Sequence, residues 1–134
     1  MAKPKEFDMA RFFLALADKT RLRLLNLMGE DEVCVCFFVT VLDELQPKIS
    51  RHLATLRDVG IVAARREGKW IHYRIATPTH PQAAQVLQEV LAWLKADKEM
   101  QHDRMRLMKF CCASSPPIQL LGAPKPASLL KSLH

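Results

Sequence analysis

Apolar positions along this chain recur first at helical spacing, then in alternation, then at helical spacing again. Within FDMARFFLALA (7–17), Ala10, Phe13, Leu14 and Ala17 fall on one helical face, and Asp18 comes next as a cap. From 19 to 28, Leu22, Leu25 and Met28, thickened by Leu24 and Leu27, predict a largely buried second helix closed by Gly29. The acidic Glu30-Asp31-Glu32 reads as a loop. Val33 to Leu42 is ambiguous: its valines suit a strand, its length and setting a helix. Gln46-Pro47 opens the next helix, because proline is pre-organised for the first helical position. There Ile49, Leu53 and Leu56 form an inward stripe joined by Ala54, while Lys48, Arg51, His52 and Thr55 point elsewhere and Gly60 ends the run.

Residues 61–66 and 69–76 flank Glu67-Gly68 as a hairpin, with Ile71, Tyr73 and Ile75 alternating against Trp70, His72 and Arg74. After Pro78 and Pro81, residues 82–112 contain no glycine or proline and carry Val86, Leu87, Val90, Leu91 and Leu94 on one face, which predicts one long helix. So small a domain leaves that stripe few partners, so it is expected to pack with the first helix against a second subunit; the alternative is an ordinary core helix. Residues 113–134, with four prolines, one glycine and four serines, read as a disordered tail. The chain thus divides into a domain over 1–112 and a tail over 113–134. Short helices leading through a turn into a basic helix and then a hairpin describe a winged helix-turn-helix. The expected fold is mainly α with a β-hairpin wing, dimeric through the first and last helices.

Charge sharpens this picture. The formal charge is +6, and most of it sits between Gln46 and Arg74, where Lys48, Arg51, Arg57, Arg65, Arg66, Lys69 and Arg74 face only Asp58 and Glu67. The window suits a polyanion, though a solvated face is the plainer reading. A helix of this size fits the DNA major groove and reads it with its first turn. Gln46, Ser50 and His52 are then the candidates for base edges, Lys48 and Arg51 for phosphates, and Arg65, Arg66 and Lys69 on the wing for flanking backbone or minor groove.

No apolar run approaches the roughly 20 residues needed to cross a bilayer, and MAKPKEFDMARFF lacks the order of a secretory signal, so a soluble, cytoplasmic protein with no membrane partner is expected. In that compartment the four cysteines stay reduced. A glycine-rich phosphate cradle, HExxH, CxxC and a nucleophile–base set are all missing, so an enzyme is not expected.

The run Val33 to Arg74, above all CVC, QPKISRHLATLRDVGIV and GKWIHYR, resembles the ArsR/SmtB family of metalloregulatory repressors, and within it the arsenic- and antimony-responsive group. The resemblance implies a homodimer that binds palindromic operator DNA and releases it when an inducer binds. That inducer would be trivalent arsenic (arsenite or methylarsenite) or antimony, with no organic cofactor. Cys34 and Cys36 stand where the family carries its arsenic and antimony ligands, and the resemblance favours helix for roughly residues 37–44. The family's third cysteine, three residues on, is Val39 here. Either Cys111 and Cys112 supply the missing sulfur, from the same or the partner subunit, or two thiolates serve for a monosubstituted arsenical.

Residues i and i+2 of a regular helix point about 200° apart, so Cys34 and Cys36 can share one atom only if the first turn unwinds or Cys34 precedes it. Ligand binding would then bend the helix supporting the reading head. A redox switch at the same thiols is the rival reading. Zinc or cadmium sensing is not expected, since His80, His102 and Asp103 do not reproduce a ligand spacing on the last helix.

Overall fold

The computed structural model describes residues 6–113 and 115–131. Helix α1 (Met9–Leu16) starts where the Asp8 side chain accepts from the Arg11 amide, and α2 (Lys19–Met28) where Asp18 accepts from Arg21. The α1 face turned to the core is Phe12, Ala15 and Leu16, not the predicted Ala10, Phe13, Leu14 and Ala17, all of which are exposed. The helix is apolar nearly all round, so periodicity alone could not tell which side meets α2.

Val33–Leu42 satisfies both readings. Val33–Cys34 is a two-residue strand, β1, and Val35–Leu42 is helix α3, ended by Asp43 in the left-handed region (φ 53°). Helix α4 (Gln46–Asp58) carries Pro47 in its first turn and buries Ile49, Leu53 and Leu56, as predicted. Strands β2 (Val62–Glu67) and β3 (Trp70–Ile75) form the wing, and the sheet order is β1-β3-β2, antiparallel throughout. β3 is therefore a middle strand, pairing Cys34 with His72 and Val33 with Tyr73. This breaks the predicted alternation, and His72 and Tyr73 are both buried.

The predicted single long helix is two: α5 (Pro81–Ala96) and α6 (Lys98–Cys111). Asp97 between them is extended (φ −77°, ψ 135°) and caps α6 by accepting from the Met100 amide. A good N-cap favours a break in a helix, because its carboxylate accepts from amides that the preceding turn would otherwise bond. Helix α6 folds back over α2: Arg23 forks onto Asp103 at 2.7 and 2.9 Å, and Asn26 donates to the Met100 carbonyl.

The segment expected to be disordered also packs. Ile118–Leu120 forms a 3-10 turn, Ala127–Lys131 forms α7, and Leu120, Ala123 and Leu129 are buried. Asp31 accepts from both the amide and the hydroxyl of Ser128, pinning α7 to the loop before β1. The apolar residues among the prolines are what let this segment dock.

The α5 stripe divides. Leu87 and Leu94 point inward, whereas Val86, Val90 and Trp93 line an apolar groove of about 390 Å³ with Phe13 and Leu22. Phe13 is 49% and Trp93 77% exposed in the single chain. Among the described residues no helix is long and apolar enough to cross a membrane.

Candidate nucleic-acid interface and thiol site

Helix α4 presents Gln46, Ser50 and Arg51 to solvent, while Lys48 and His52 are half-buried. Lys48 is held by Glu44 at 2.9 Å, four residues earlier. His52 is not the open side chain the sequence suggests. Its Nδ1 lies 3.1 Å from an Arg21 guanidinium nitrogen and 3.8 Å from Asp18, and Arg21 is itself anchored on the carbonyls of Leu14 and Ala15. Burial is the first cause that lowers the His52 pKa; Asp18 opposes it, and Arg21, Lys48 and Arg51 reinforce it. The ring is thus neutral at physiological pH. With Nδ1 accepting from Arg21, the proton sits on Nε2, which leaves the ring one donor.

On the wing, Arg65 is tied to Glu32 at 2.6 Å and Glu67 at 3.2 Å, so much of its charge is already answered. Arg66 reaches back to the Gly68 carbonyl, and Lys69 stands 4.8 Å over the Trp70 ring. By sequence the three wing cations are equals; the structure separates a braced Arg65 from Arg66 and Lys69. It also adds Arg21, whose role in orienting His52 had no motif to announce it.

The two thiols of the CVC motif meet. Cys34 is the N-cap of α3, extended at φ −68° and ψ 141°, and Cys36 lies in the first turn, with the Cys36 thiol donating to Cys34 Sγ across 3.1 Å. Because Cys34 belongs to β1 rather than to the helix, no turn need unwind for both sulfurs to reach one atom. The expected helix bending is therefore not required. The hydrogen bond from Cys36 pulls the Cys34 thiol down to about 6 despite its burial, helped by the backbone amides of Cys36 and Ile71 and by His72. The same bond, with burial, pushes the Cys36 pKa up. The pair therefore gives up one proton easily and the second with difficulty.

Replacing Cys36 by alanine removes the donor, so the Cys34 pKa is expected to rise toward the ordinary thiol value of about 8.5, measured by thiolate ultraviolet absorbance against pH. A midpoint still near 6 would assign the effect to the helix end and His72 instead.

Cys34 and Cys36 line a cavity of about 250 Å³ together with Val35, Val39, Gln46, Lys69, Trp70, Ile71 and Gln119. Gln46 is the first residue of α4, Trp70 and Ile71 begin β3, and Gln119 comes from the C-terminal segment and bonds Thr40 of α3. Sequence reasoning missed Trp70, Ile71 and Gln119 as walls, since only the fold brings them beside CVC. Cys111 and Cys112 are not among the lining residues. Cys111 is fully buried, and that burial raises its pKa to about 11, while Cys112 is exposed. Among the described residues no three His, Cys, Asp or Glu side chains gather as a metal site.

Residues 18–64 match the profile of the family described as "Bacterial regulatory protein, arsR family". The chain is 45% identical over 92 residues to the arsenical resistance operon repressor of Escherichia coli (strain K12), a match that spans 68% of this chain and 77% of that protein. Among solved structures, it is similar to the transcriptional repressor BigR from Xylella fastidiosa, with TM-score 0.56, 30% identity, and coverage of 66% of this chain and 85% of that one. It is likewise similar to the homodimeric winged helix-turn-helix DNA-binding domain Mb0332 from Mycobacterium bovis, with TM-score 0.52, 33% identity, and coverage of 69% and 82%. The C-terminal segment lies outside the family profile.

Proposed function

Since the chain belongs to the arsR family of bacterial regulatory proteins and has a winged helix-turn-helix fold, we propose that it is a homodimeric repressor released from operator DNA by trivalent arsenic or antimony at Cys34 and Cys36. The observation that carries this reading is the 3.1 Å separation of the two sulfurs in a cavity walled by the first residue of α4.

A trivalent arsenic or antimony centre exchanges hydroxyls for sulfur. Toward it, Cys34 offers a thiolate at neutral pH, and Cys36 offers a second sulfur whose proton can leave with a displaced hydroxyl as water. An occupant of the cavity presses on Gln46 and on Trp70 and Ile71, so the reading helix and the turn end of the wing are disturbed together. In the free protein, Gln46, Ser50 and the Nε2–H of His52 face base edges, Lys48 and Arg51 face phosphates, and Arg66 and Lys69, with Arg65 braced by Glu32, hold the flank. The apolar groove between α1 and α5, with Phe13 and Trp93, fits a second subunit and gives the two-fold pair of reading heads a palindrome needs.

The test is a gel-shift titration of the protein on its own upstream DNA with arsenite, antimonite, zinc and cadmium in parallel. Release by arsenite or antimonite at concentrations where zinc and cadmium leave the complex intact supports the reading, and the reverse ranking overturns it. In the same assay His52→Ala is expected to lower discrimination between operator and random DNA by about 10-fold or more, the worth of one good base contact, whereas Lys48→Ala weakens both alike. The opposite pattern would exchange the roles given to these two residues.

A further inference from the structure

Resting on the sensor reading above, we propose that the thiol cavity selects trivalent arsenic bearing one carbon substituent, a methyl or aryl arsenical, over inorganic arsenite. Trivalent arsenic has three valences, and this cavity offers two sulfurs. The position one turn beyond Cys36 is Val39, a wall of the cavity. Among the described residues of the single chain neither Cys111 nor Cys112 lines the cavity, and Cys111 is sealed in the core, where its charged neighbours are Asp31 and Lys125.

The third valence then has Val35, Val39, Trp70 and Ile71 as its apolar neighbours and Gln46, Lys69 and Gln119 as its polar ones. Arsenite held by two sulfurs keeps a hydroxyl there, and burying a hydroxyl against apolar side chains without a partner is unfavourable. A carbon substituent has no such need and gains by leaving water. Space does not forbid it, since an apolar cavity of about 150 Å³ holds benzene and this one is about 250 Å³. Gln46, Lys69, Ile71 and Gln119 are the exposed residues among the lining. The exchange is redox-neutral: two As–O bonds break and two As–S bonds form with Cys34 and Cys36; the Cys36 thiol hydrogen leaves with one hydroxyl as water, and the hydroxide displaced by the Cys34 thiolate takes its proton from solvent.

The experiment uses the full chain bound to operator DNA, titrated with arsenite, methylarsenite and phenylarsine oxide, and counts the thiols each protects from a chromogenic disulfide reagent in a Cys111→Ser/Cys112→Ser background. Both organic arsenicals are expected to protect two thiols and to release DNA at concentrations about 10-fold or more below arsenite, the scale of one hydroxyl buried without a partner. Val39→Cys is expected to close most of that gap by bringing arsenite down, with three thiols then protected by arsenite. Equal potency of arsenite in the native chain, or a Val39→Cys protein that protects three thiols yet keeps the gap, overturns the selectivity while leaving the sensor standing. If none of the three compounds releases a well-bound operator, the sensor reading and this proposal fall together.

Discussion

Replacing Cys34 and Cys36 together with serine is expected to leave operator affinity within about twofold, as a substitution away from the DNA-facing surface should, and to raise the arsenical concentration for release by about 1000-fold or more, the scale on which paired attachment exceeds single attachment. Serine keeps the size of the side chain and a hydroxyl that can still bridge positions 34 and 36. It removes the one property the site supplies, a nucleophile already ionised near neutrality. The singles should differ. Cys34→Ser loses the thiolate and slows capture most, whereas Cys36→Ser retains one sulfur but loses the second attachment. Thermal unfolding run beside the gel shifts separates lost sensing from lost folding, since Cys34 is 2% exposed. Full release of the double variant by arsenicals would discard the thiol site. Peroxide releasing the native protein while arsenicals fail would point to oxidation of the close pair instead.

How far the sequence carries depends on what kind of signal each feature leaves. Helix α4 was legible because its apolar stripe, Pro47 and Gly60 all point the same way and its buried residues came out as predicted. The CVC pair was legible as chemistry but not as geometry. Spacing alone left two ways for the sulfurs to meet, an unwound turn or Cys34 ahead of the helix, and the structure takes the second by assigning Cys34 to a strand. That strand is two residues long and exists only by pairing with Tyr73 and His72, a contact no local pattern encodes. The break at Asp97 was hidden because neither glycine nor proline marks it, and a capping carboxylate looks like any other acid on a helix surface. In the C-terminal segment the prolines and serines suggest disorder, yet the few apolar residues among them suffice to dock it. The cavity walls were the least legible, since Gln46, Trp70 and Gln119 meet only in the folded chain.

Asp103→Ala is expected to destabilise the fold by about 3 kcal/mol, the lower end of the cost of breaking a buried ion pair. Asp103 is 2% exposed and takes two hydrogen bonds from Arg23, so its loss strips the guanidinium of its acceptor. The lower end applies because the Arg23 side chain keeps 23% of its exposure and water can partly replace the carboxylate. This bond is the buried charged link between α2 and α6; the exposed Lys19–Glu99 pair at 2.7 Å, the amide of Asn26 on the Met100 carbonyl and the Arg104 guanidinium on the Asn26 carbonyl lie along the same interface. Loosening α6 also loosens the C-terminal segment attached to its end, which carries Gln119 to the rim of the thiol cavity. Urea unfolding should show the loss as a lower midpoint at unchanged slope. Asp103→Asn, which keeps one acceptor, should fall between the native chain and the alanine variant. A midpoint unmoved by either substitution would mean that α6 is held by its apolar contacts, Met100 and Leu107, and that the ion pair only decorates an interface already closed.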